Sequence, residues 1–112
     1  MPDDRTLESL AGKTLRWTFS DGPSAGKTYE HRIGADGSIE FRGVEGGTPG
    51  KSSRAVKGGT ALIADQVFAI SYLGDAGFTL TVVLDFRSKR MVGFASNEKD
   101  WFQQQGTFDV VA

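Results

Sequence analysis

The residue with the clearest chemical potential is His31, the single histidine of the chain. An imidazole can serve as a general base near neutral pH, and strand parity places it on the same face as Tyr29. A hydrogen-bonded structural histidine is the competing interpretation. With no cysteine and no second histidine, a transition-metal site or a catalytic triad lacks its partners. The sequence therefore predicts no metal site and assigns no catalytic residue.

A second motif, DGPSAGKT at 21–28, comes close to the phosphate-binding P-loop. Asp21 stands where the first glycine of that pattern belongs, and its carboxylate would repel a phosphate. A P-loop also joins a strand to a helix, whereas the residues that follow here have strand character. Similar Gly-Lys-Thr/Ser runs open other strands at 12–14 and 50–52. We interpret all three as turn glycines before strands, and we exclude nucleotide binding.

The remaining candidate site is aromatic. Strand parity puts a set of rings on one face together with His31: Trp17, Phe19, Tyr29, Phe41 and Tyr72. If these faces point inward, they line a cavity with aromatic walls and a few polar groups, which suits a flat, partly polar small molecule. An ordinary aromatic core with no cavity fits the same pattern, because small barrels often fill themselves with side chains.

Three consecutive strands, at 67–73, 78–86 and 91–96, must position much of this face. The middle strand alternates strictly, which is typical of a strand with one buried face. We predict that Leu80, Val82 and Leu84 point inward, with Thr79 and Thr81 outside. The connections at 74–77 and 87–90 are short and favour antiparallel hairpins.

The rest of the chain repeats this pattern in short strands with glycine-rich turns. The predicted strands are 14–20, 27–33, 38–44, 51–57, 60–64 and 106–111. Residues 6–11 are a candidate helical turn, and residues 1–9 are expected to form a loosely ordered N-terminal segment. A polar loop at 97–105 carries Trp101, which we expect to fold over one barrel end as a lid or to plug the core. We predict one all-β domain over 1–112, an antiparallel up-and-down barrel of eight or nine strands.

Composition limits the partners. The 112 residues include 13 Lys and Arg against 14 Asp and Glu, with no basic run to follow a phosphate backbone, so nucleic acid is not expected. No segment reads as a signal peptide or reaches transmembrane length, so no membrane partner is expected. The absence of cysteine fits a cytoplasmic protein. No motif indicates a cofactor.

The chain resembles a known family over most of its length, from about residue 10 to 111. GKTLRW at 12–17 is similar to the glycine–tryptophan signature of the calycins, the lipocalin-like barrels. Further runs resemble the MoaF-like family: WTFSDGP at 17–23, GKTYEH at 26–31, SYL at 71–73, GFASNEK at 93–99 and GTF at 106–108. The resemblance implies a bacterial calycin barrel. The molybdenum-cofactor label in the family's name is not carried over as chemistry.

A more distant resemblance is to the phenolic acid decarboxylases, which share the calycin fold. In that family two tyrosines on the first strand hold the substrate carboxylate, and an arginine and a glutamate assist proton transfer. Here Trp17 and Phe19 stand at the tyrosine positions, Lys51 at the arginine and Gly74 at the glutamate. The resemblance therefore supports the fold and a cavity but argues against that decarboxylation.

The sequence thus predicts a small-molecule-binding barrel of the lipocalin type, with an aromatic or apolar metabolite inside. The predicted ligand-binding residues are Trp17, Phe19, Tyr29, His31, Phe41, Lys51, Tyr72 and Trp101. Two alternatives stay open. One is an enzyme that uses His31 or Lys51 with Tyr29 on a small organic acid. The other is a structural module that binds no ligand and forms a homodimer through its surface.

Overall fold

The computed structural model describes residues 9–45, 48–55, 57–74 and 77–111, and within these ranges every regular element is a strand. The first five strands are β1 (Thr14–Phe19), β2 (Thr28–Ile33), β3 (Ile39–Glu45), β4 (Thr48–Pro49) and β5 (Ser53–Arg54). The other five are β6 (Lys57–Ala64), β7 (Val67–Leu73), β8 (Thr79–Asp85), β9 (Arg90–Ser96) and β10 (Trp101–Val110). The all-β class predicted from the alternation is confirmed.

All ten strands belong to one antiparallel sheet in the order β4-β3-β2-β1-β10-β9-β8-β7-β6, and β5 also pairs with β3. Six strand-to-strand steps separate β3 from β7, which would be about 29 Å in a flat sheet at about 4.8 Å a step. Yet the ring centroids of Phe41 on β3 and Tyr72 on β7 lie only 5.0 Å apart. The sheet is therefore curled into at least a half-barrel, with one face turned inward.

The three-stranded meander agrees closely with the sequence prediction. β7 pairs with β8 along its whole length, and β8 pairs in the same way with β9. Val82 and Leu84 are fully buried, Leu80 is half-buried on the same face, and Thr79 is exposed. Because alternate residues of a strand point to opposite faces, this register fixes the inward set of the meander.

The last strand departs from the prediction. The segment 97–105 is not a long loop, because β10 begins at Trp101 and runs for 10 residues. The connection is a tight turn in which Asn97 Oδ1 accepts hydrogen bonds from the backbone N–H groups of Lys99 and Asp100, at 2.8 and 2.6 Å. Because the Asn97 side chain satisfies these N–H groups within the turn, β10 pairs with β9 directly after it, from Trp101 onwards.

The predicted strand at 51–57 is also wrong in extent. Among the described residues of this range, Ser53 and Arg54 pair with Phe41 and Glu40 of β3, whereas Lys57 belongs to the next strand. Conversely, the strand predicted at 60–64 is longer and starts at Lys57 as β6, whose eight residues are all exposed. Half of the helical turn predicted at 6–11, residues 6–8, lies outside the described residues. Within the part that is described, Leu10 is fully buried just before β1.

One core fills the concave side of the sheet. It contains aliphatic and aromatic residues from β1, β2, β3 and β7 to β10. In the described ranges β6 pairs with β7 alone, so no hydrogen-bonded ladder joins it to β3, β4 or β5. No helix of the described chain is long and apolar enough to cross a membrane.

Candidate functional site

The interior of the curled sheet has two ends that differ in packing. The first, here called the packed end, is filled by Leu15, Ile33, Ile39, Phe68, Leu84, Met91 and Phe108, each at most 3% exposed. The second, here called the cavity end, encloses a cavity of about 220 Å³. Tyr29 and Phe78 in its wall are only half-buried, so this end opens towards solvent.

Aromatic side chains make most of the cavity wall. Six rings contribute to it: Trp17, Phe19, Tyr29, Phe41, Tyr72 and Phe78. The remaining lining residues are Ser24, His31, Gly74, Leu80, Ala95 and Gln104. Cross-strand register explains the grouping, since Trp17 pairs with Tyr29, His31 with Phe41 and Tyr72 with Leu80. Each pair therefore projects from the same inner face at the same level of the sheet.

His31 lies at the floor of the cavity, where the two ends meet. Its ring stacks on Trp17 with centroids 3.8 Å apart and planes 19° from parallel. The His31 ring also lies 5.8 Å from the ring of Phe41, with the two planes 20° from parallel. His31 Nε2 and Tyr72 Oη are 2.7 Å apart, a short hydrogen bond that links β2 to β7 across the interior. Stacking and this hydrogen bond together fix the imidazole in one orientation.

Burial keeps His31 neutral. The residue is only 2% exposed, and desolvation lowers its pKa from 6.5 to about 3. A charged imidazolium in this apolar setting would lose its hydration without a carboxylate to compensate. His31 Nδ1 and the nearby Trp17 Nε1 are both sealed from solvent and lack a hydrogen-bond partner in the described chain. A base that charges only near pH 3 is poorly matched to proton abstraction at neutral pH.

Gln104 brings the one buried carboxamide to the cavity among the lining residues. Its Oε1 accepts a 2.7 Å hydrogen bond from the backbone N–H of Ser24 in the β1–β2 connection. This connection passes very close to the Gln104 side chain, since a Cβ placed on Gly22 would lie 2.5 Å from Gln104 Cγ. Gly22 also has a φ of +74°, so a glycine is required there for two reasons. The contact pins the connection beside the mouth of the cavity.

Small inward residues on β9 make room for the cavity. From the packed end to the cavity end, the inward positions are Met91, Gly93 and Ala95. They lie opposite Leu84, Val82 and Leu80 of β8, which are all apolar and large enough to pack a core. Gly93 and Ala95 are much smaller than Met91, so β9 leaves volume unfilled towards the cavity end, although the backbone of the ladder continues unchanged.

Charged groups lie on the other face of the sheet. Arg16 Nη2 donates to Glu30 Oε2 at 2.7 Å, and Arg42 Nε donates to Glu30 Oε1 at 2.9 Å. The hydrogen bond from Arg16, with that from Arg42 and both positive charges, holds the pKa of Glu30 below its ordinary value despite its burial. These three residues alternate with the inward rings, so the ion pairs do not reach the cavity.

Six of the eight predicted site residues line the cavity: Trp17, Phe19, Tyr29, His31, Phe41 and Tyr72. The structure does not bring the other two there. Lys51 is exposed in the connection between β4 and β5. Trp101 begins β10, is 62% exposed and contacts Phe94 on the outer face, with ring centroids 6.0 Å apart. It neither covers the opening nor plugs the core, because its parity is opposite to that of Gln104.

Sequence reasoning missed Gln104 as a site residue because it assigned 97–105 to a loop. The signal was present in the alternation that ends at Phe108. Continued backwards in steps of two, this alternation puts Gly106, Gln104 and Phe102 on the inner face, as the burial of β10 shows. Ser24 could not be found in this way, since its place depends on a long-range contact with residue 104.

The described residues hold no group of three His, Cys, Asp or Glu side chains that could ligate a metal ion. The buried carboxylate of Glu30 is not available to a metal ion, because it is already paired with two arginines, Arg16 and Arg42. The chemistry that the cavity itself offers is hydrogen bonding from neutral groups and contact with aromatic faces.

Comparison with known proteins yields a structural relationship and no family assignment. A scan against protein-family models finds no match, and a search of the curated proteins finds none. Among solved structures, the chain is similar to the crystal structure of "a putative beta-lactamase from Burkholderia vietnamiensis". The TM-score is 0.75 at 19% sequence identity, over 96% of this chain and 99% of that one. At this identity the similarity establishes a shared fold.

Proposed function

We propose that this protein binds a small, largely apolar molecule in the cavity end of its interior. The observation that carries the proposal is the aromatic-walled cavity of about 220 Å³, with neutral polar groups at its floor and mouth. A mostly apolar concave site with a few placed polar groups is the usual form of a small-molecule site.

The cavity volume sets the size of the ligand. Apolar cavities of about 150 Å³ bind benzene, and pockets for drug-sized molecules start at about 300 Å³. A cavity of about 220 Å³ lies between these values, which corresponds to one substituted ring or two fused rings. The aromatic walls favour a flat ligand, because ring faces and edges pack best against another planar group.

The proposal includes closure of the barrel between β3 and β6, which would shield the ligand from water. One contact of the intervening segment supports closure: Ala55, which follows β5, packs against the core cluster. Membership of the MoaF-like family and a cytoplasmic location stay predictions beside this proposal.

An enzymatic function has weaker support. The structural neighbour is described as a beta-lactamase, an activity that uses an activated serine or a metal-bound water. Ser24 is the serine in the cavity lining, and its hydroxyl has no hydrogen-bond partner in the described chain that could activate it. His31 is neutral and occupied by stacking, and Lys51 lies elsewhere. These positions favour binding over catalysis.

A fluorescence titration tests the proposal. In the Trp101→Phe variant, Trp17 in the cavity wall is the only tryptophan of the chain. Benzamide, acetophenone and naphthalene should each change its emission saturably, whereas cyclohexanol, of similar size but not planar, should bind more weakly. Absence of any saturable change with all four compounds would contradict the proposal and favour the structural module.

A cavity-filling variant supplies the control. Ala95→Phe puts a ring into the cavity and should abolish the fluorescence response while leaving the fold intact. Ala61→Phe makes the same substitution at an exposed position of β6, and it should leave the response unchanged. Equal responses from the two variants would place the bound probe outside the cavity.

A further inference from the structure

We propose that the ligand of this cavity is electrically neutral and carries an acceptor atom, which accepts a hydrogen bond from the side-chain NH₂ group of Gln104. This inference rests on the proposed binding function and specifies the chemical class of its ligand. The class is a neutral planar ring compound with a carbonyl, amide or ring-nitrogen acceptor. An aromatic carboxylate, the substrate type that the decarboxylase resemblance suggests, does not fit.

The first step is the charge of the lining. The twelve described residues that line the cavity include no Lys, Arg, Asp or Glu. The arginines adjacent in sequence to lining residues are Arg16, Arg32 and Arg42. Strand parity directs all three to the outer face, where Arg16 and Arg42 are paired with Glu30. A carboxylate transferred into such a lining would lose its hydration with no cation to compensate, and buried unpaired charges are strongly disfavoured.

The second step concerns His31, the group in the lining that could become positive. It contacts Trp17 through one ring face, and its Nε2 is engaged with Tyr72 Oη at 2.7 Å. Phe41 on the neighbouring strand lies beside the His31 ring and adds no charge. Burial keeps its pKa near 3, so the imidazole stays neutral at pH values where a carboxylic acid is ionised. An anionic ligand would therefore meet no counter-charge among the lining residues that the structure describes.

The third step fixes the orientation of the Gln104 carboxamide. Its Oε1 accepts from the Ser24 N–H, so the NH₂ group must point away from that backbone. No partner for Gln104 Nε2 exists in the described chain, and this atom is not among those sealed from solvent. The side chain as a whole is only 5% exposed and lines the cavity. The NH₂ group thus presents a donor to the cavity, and a ligand that displaces water from this group must supply an acceptor in its place.

A matched pair of probes tests the charge requirement. Benzamide and benzoate have the same ring and differ in the charge of one substituent. Benzamide should bind with an affinity that stays constant between about pH 5 and pH 8, where His31 does not titrate. Benzoate should bind only as benzoic acid, so its apparent affinity should fall by about tenfold per pH unit above its pKa.

Substitution of Gln104 tests the hydrogen bond. Gln104→Glu keeps an oxygen for the Ser24 N–H but replaces the donor by a carboxylate oxygen. It should weaken benzamide binding by at least about tenfold and leave naphthalene, which has no acceptor, much less affected. Gln103→Glu adds the same charge one residue away on the exposed outer face and should change neither affinity. Gln104→Leu removes the donor without adding a charge. Its benzamide affinity, measured together with its melting temperature, therefore separates loss of the donor from the effect of charge.

A direct readout is the side-chain amide signal of Gln104 in the ¹H–¹⁵N NMR spectrum. Benzamide should shift it, and naphthalene should shift it less. Benzoate binding as tightly as benzamide at pH 8, or an unmoved Gln104 signal at benzamide saturation, would overturn this inference and leave the binding function standing. If none of the three probes binds, the proposed function fails and this inference fails with it.

Discussion

The packed end and the cavity end are built by the same strands, and they differ in what the strands place inside. β7 contributes Phe68 to the packed end and Tyr72 to the cavity end. β9 contributes Met91 to the first and Ala95 to the second. Hydrogen bonding between the strands continues through both ends in one register. The difference therefore resides in side-chain size and polarity and does not require a change of backbone.

This division separates stability from function. Close-packed interiors lose several kcal/mol when a large side chain is removed, since the cavity left behind relaxes only in part. At the cavity end the volume is already unfilled, and its polar atoms are arranged around it. The packed end can therefore supply most of the folding free energy, and the cavity end can keep aromatic surface available to a ligand. Substitutions at the two ends and a change of pH test this division.

The largest effect is expected from the matched pair Phe68→Ala and Phe78→Ala. Phe68 is 1% exposed at the packed end, whereas Phe78 is half-buried in the cavity wall. Phe68→Ala should lower the free energy of unfolding by about 3–5 kcal/mol, and Phe78→Ala by about 1 kcal/mol. Guanidinium denaturation measures both. Equal losses would show that the cavity end is packed as tightly as the other, and the division would be wrong.

A smaller effect is expected from acid, through His31. Its pKa is about 3 when folded and 6.5 as an ordinary imidazole, so the unfolded chain binds the extra proton between these values. Stability should therefore be complete above about pH 6.5 and should fall as the pH decreases below it. Between pH 6.5 and pH 4.5 the loss should reach about 2–3 kcal/mol, at about 1.4 kcal/mol per unit.

His31→Phe serves as the control, because it keeps a planar ring on Trp17 and removes the titrating nitrogens. Its stability should be flat from pH 6.5 to pH 4.5. Glu30 acts in the same sense but at lower pH: its lowered pKa gives stability that is present above its ordinary value of 4.5 and is lost below it. The two groups thus act in separate windows. A wild-type curve that stays flat down to pH 4.5 would mean that His31 is accessible to water.

The elements that the sequence predicted well are those whose pattern lies within one strand and its turns. All six strand ends of the meander were predicted to within one residue, since Val82 and its neighbours alternate strictly and short turns join the strands. The same parity placed Trp17 and His31 inside. The edge was harder, because β6 is exposed on both faces and so has no alternation to read. Its extent depends on pairing with β7, which is a tertiary contact.

The cavity itself could not be predicted from alternation. Parity states that Ala95 and Gln104 point inward, but whether the space between them is filled depends on the volumes of residues from several strands at once. The His31–Tyr72 hydrogen bond joins positions 41 residues apart, and that from Ser24 to Gln104 joins positions 80 apart. Contacts of this range follow from the curl of the sheet and leave no local pattern.

The smallest effect is expected at Trp101, on the outer face of the cavity end. The sequence suggested either a lid or a plug, and the structure places the ring outside, 62% exposed and against Phe94. An exposed aromatic pair contributes about 0.5–1.5 kcal/mol. Trp101→Ala should therefore cost about 1 kcal/mol of stability and leave the benzamide affinity unchanged, as measured by denaturation and by titration. A loss of about 3–5 kcal/mol would restore the plug, because only a buried indole leaves so large a void. Weaker benzamide binding at unchanged stability would restore the lid.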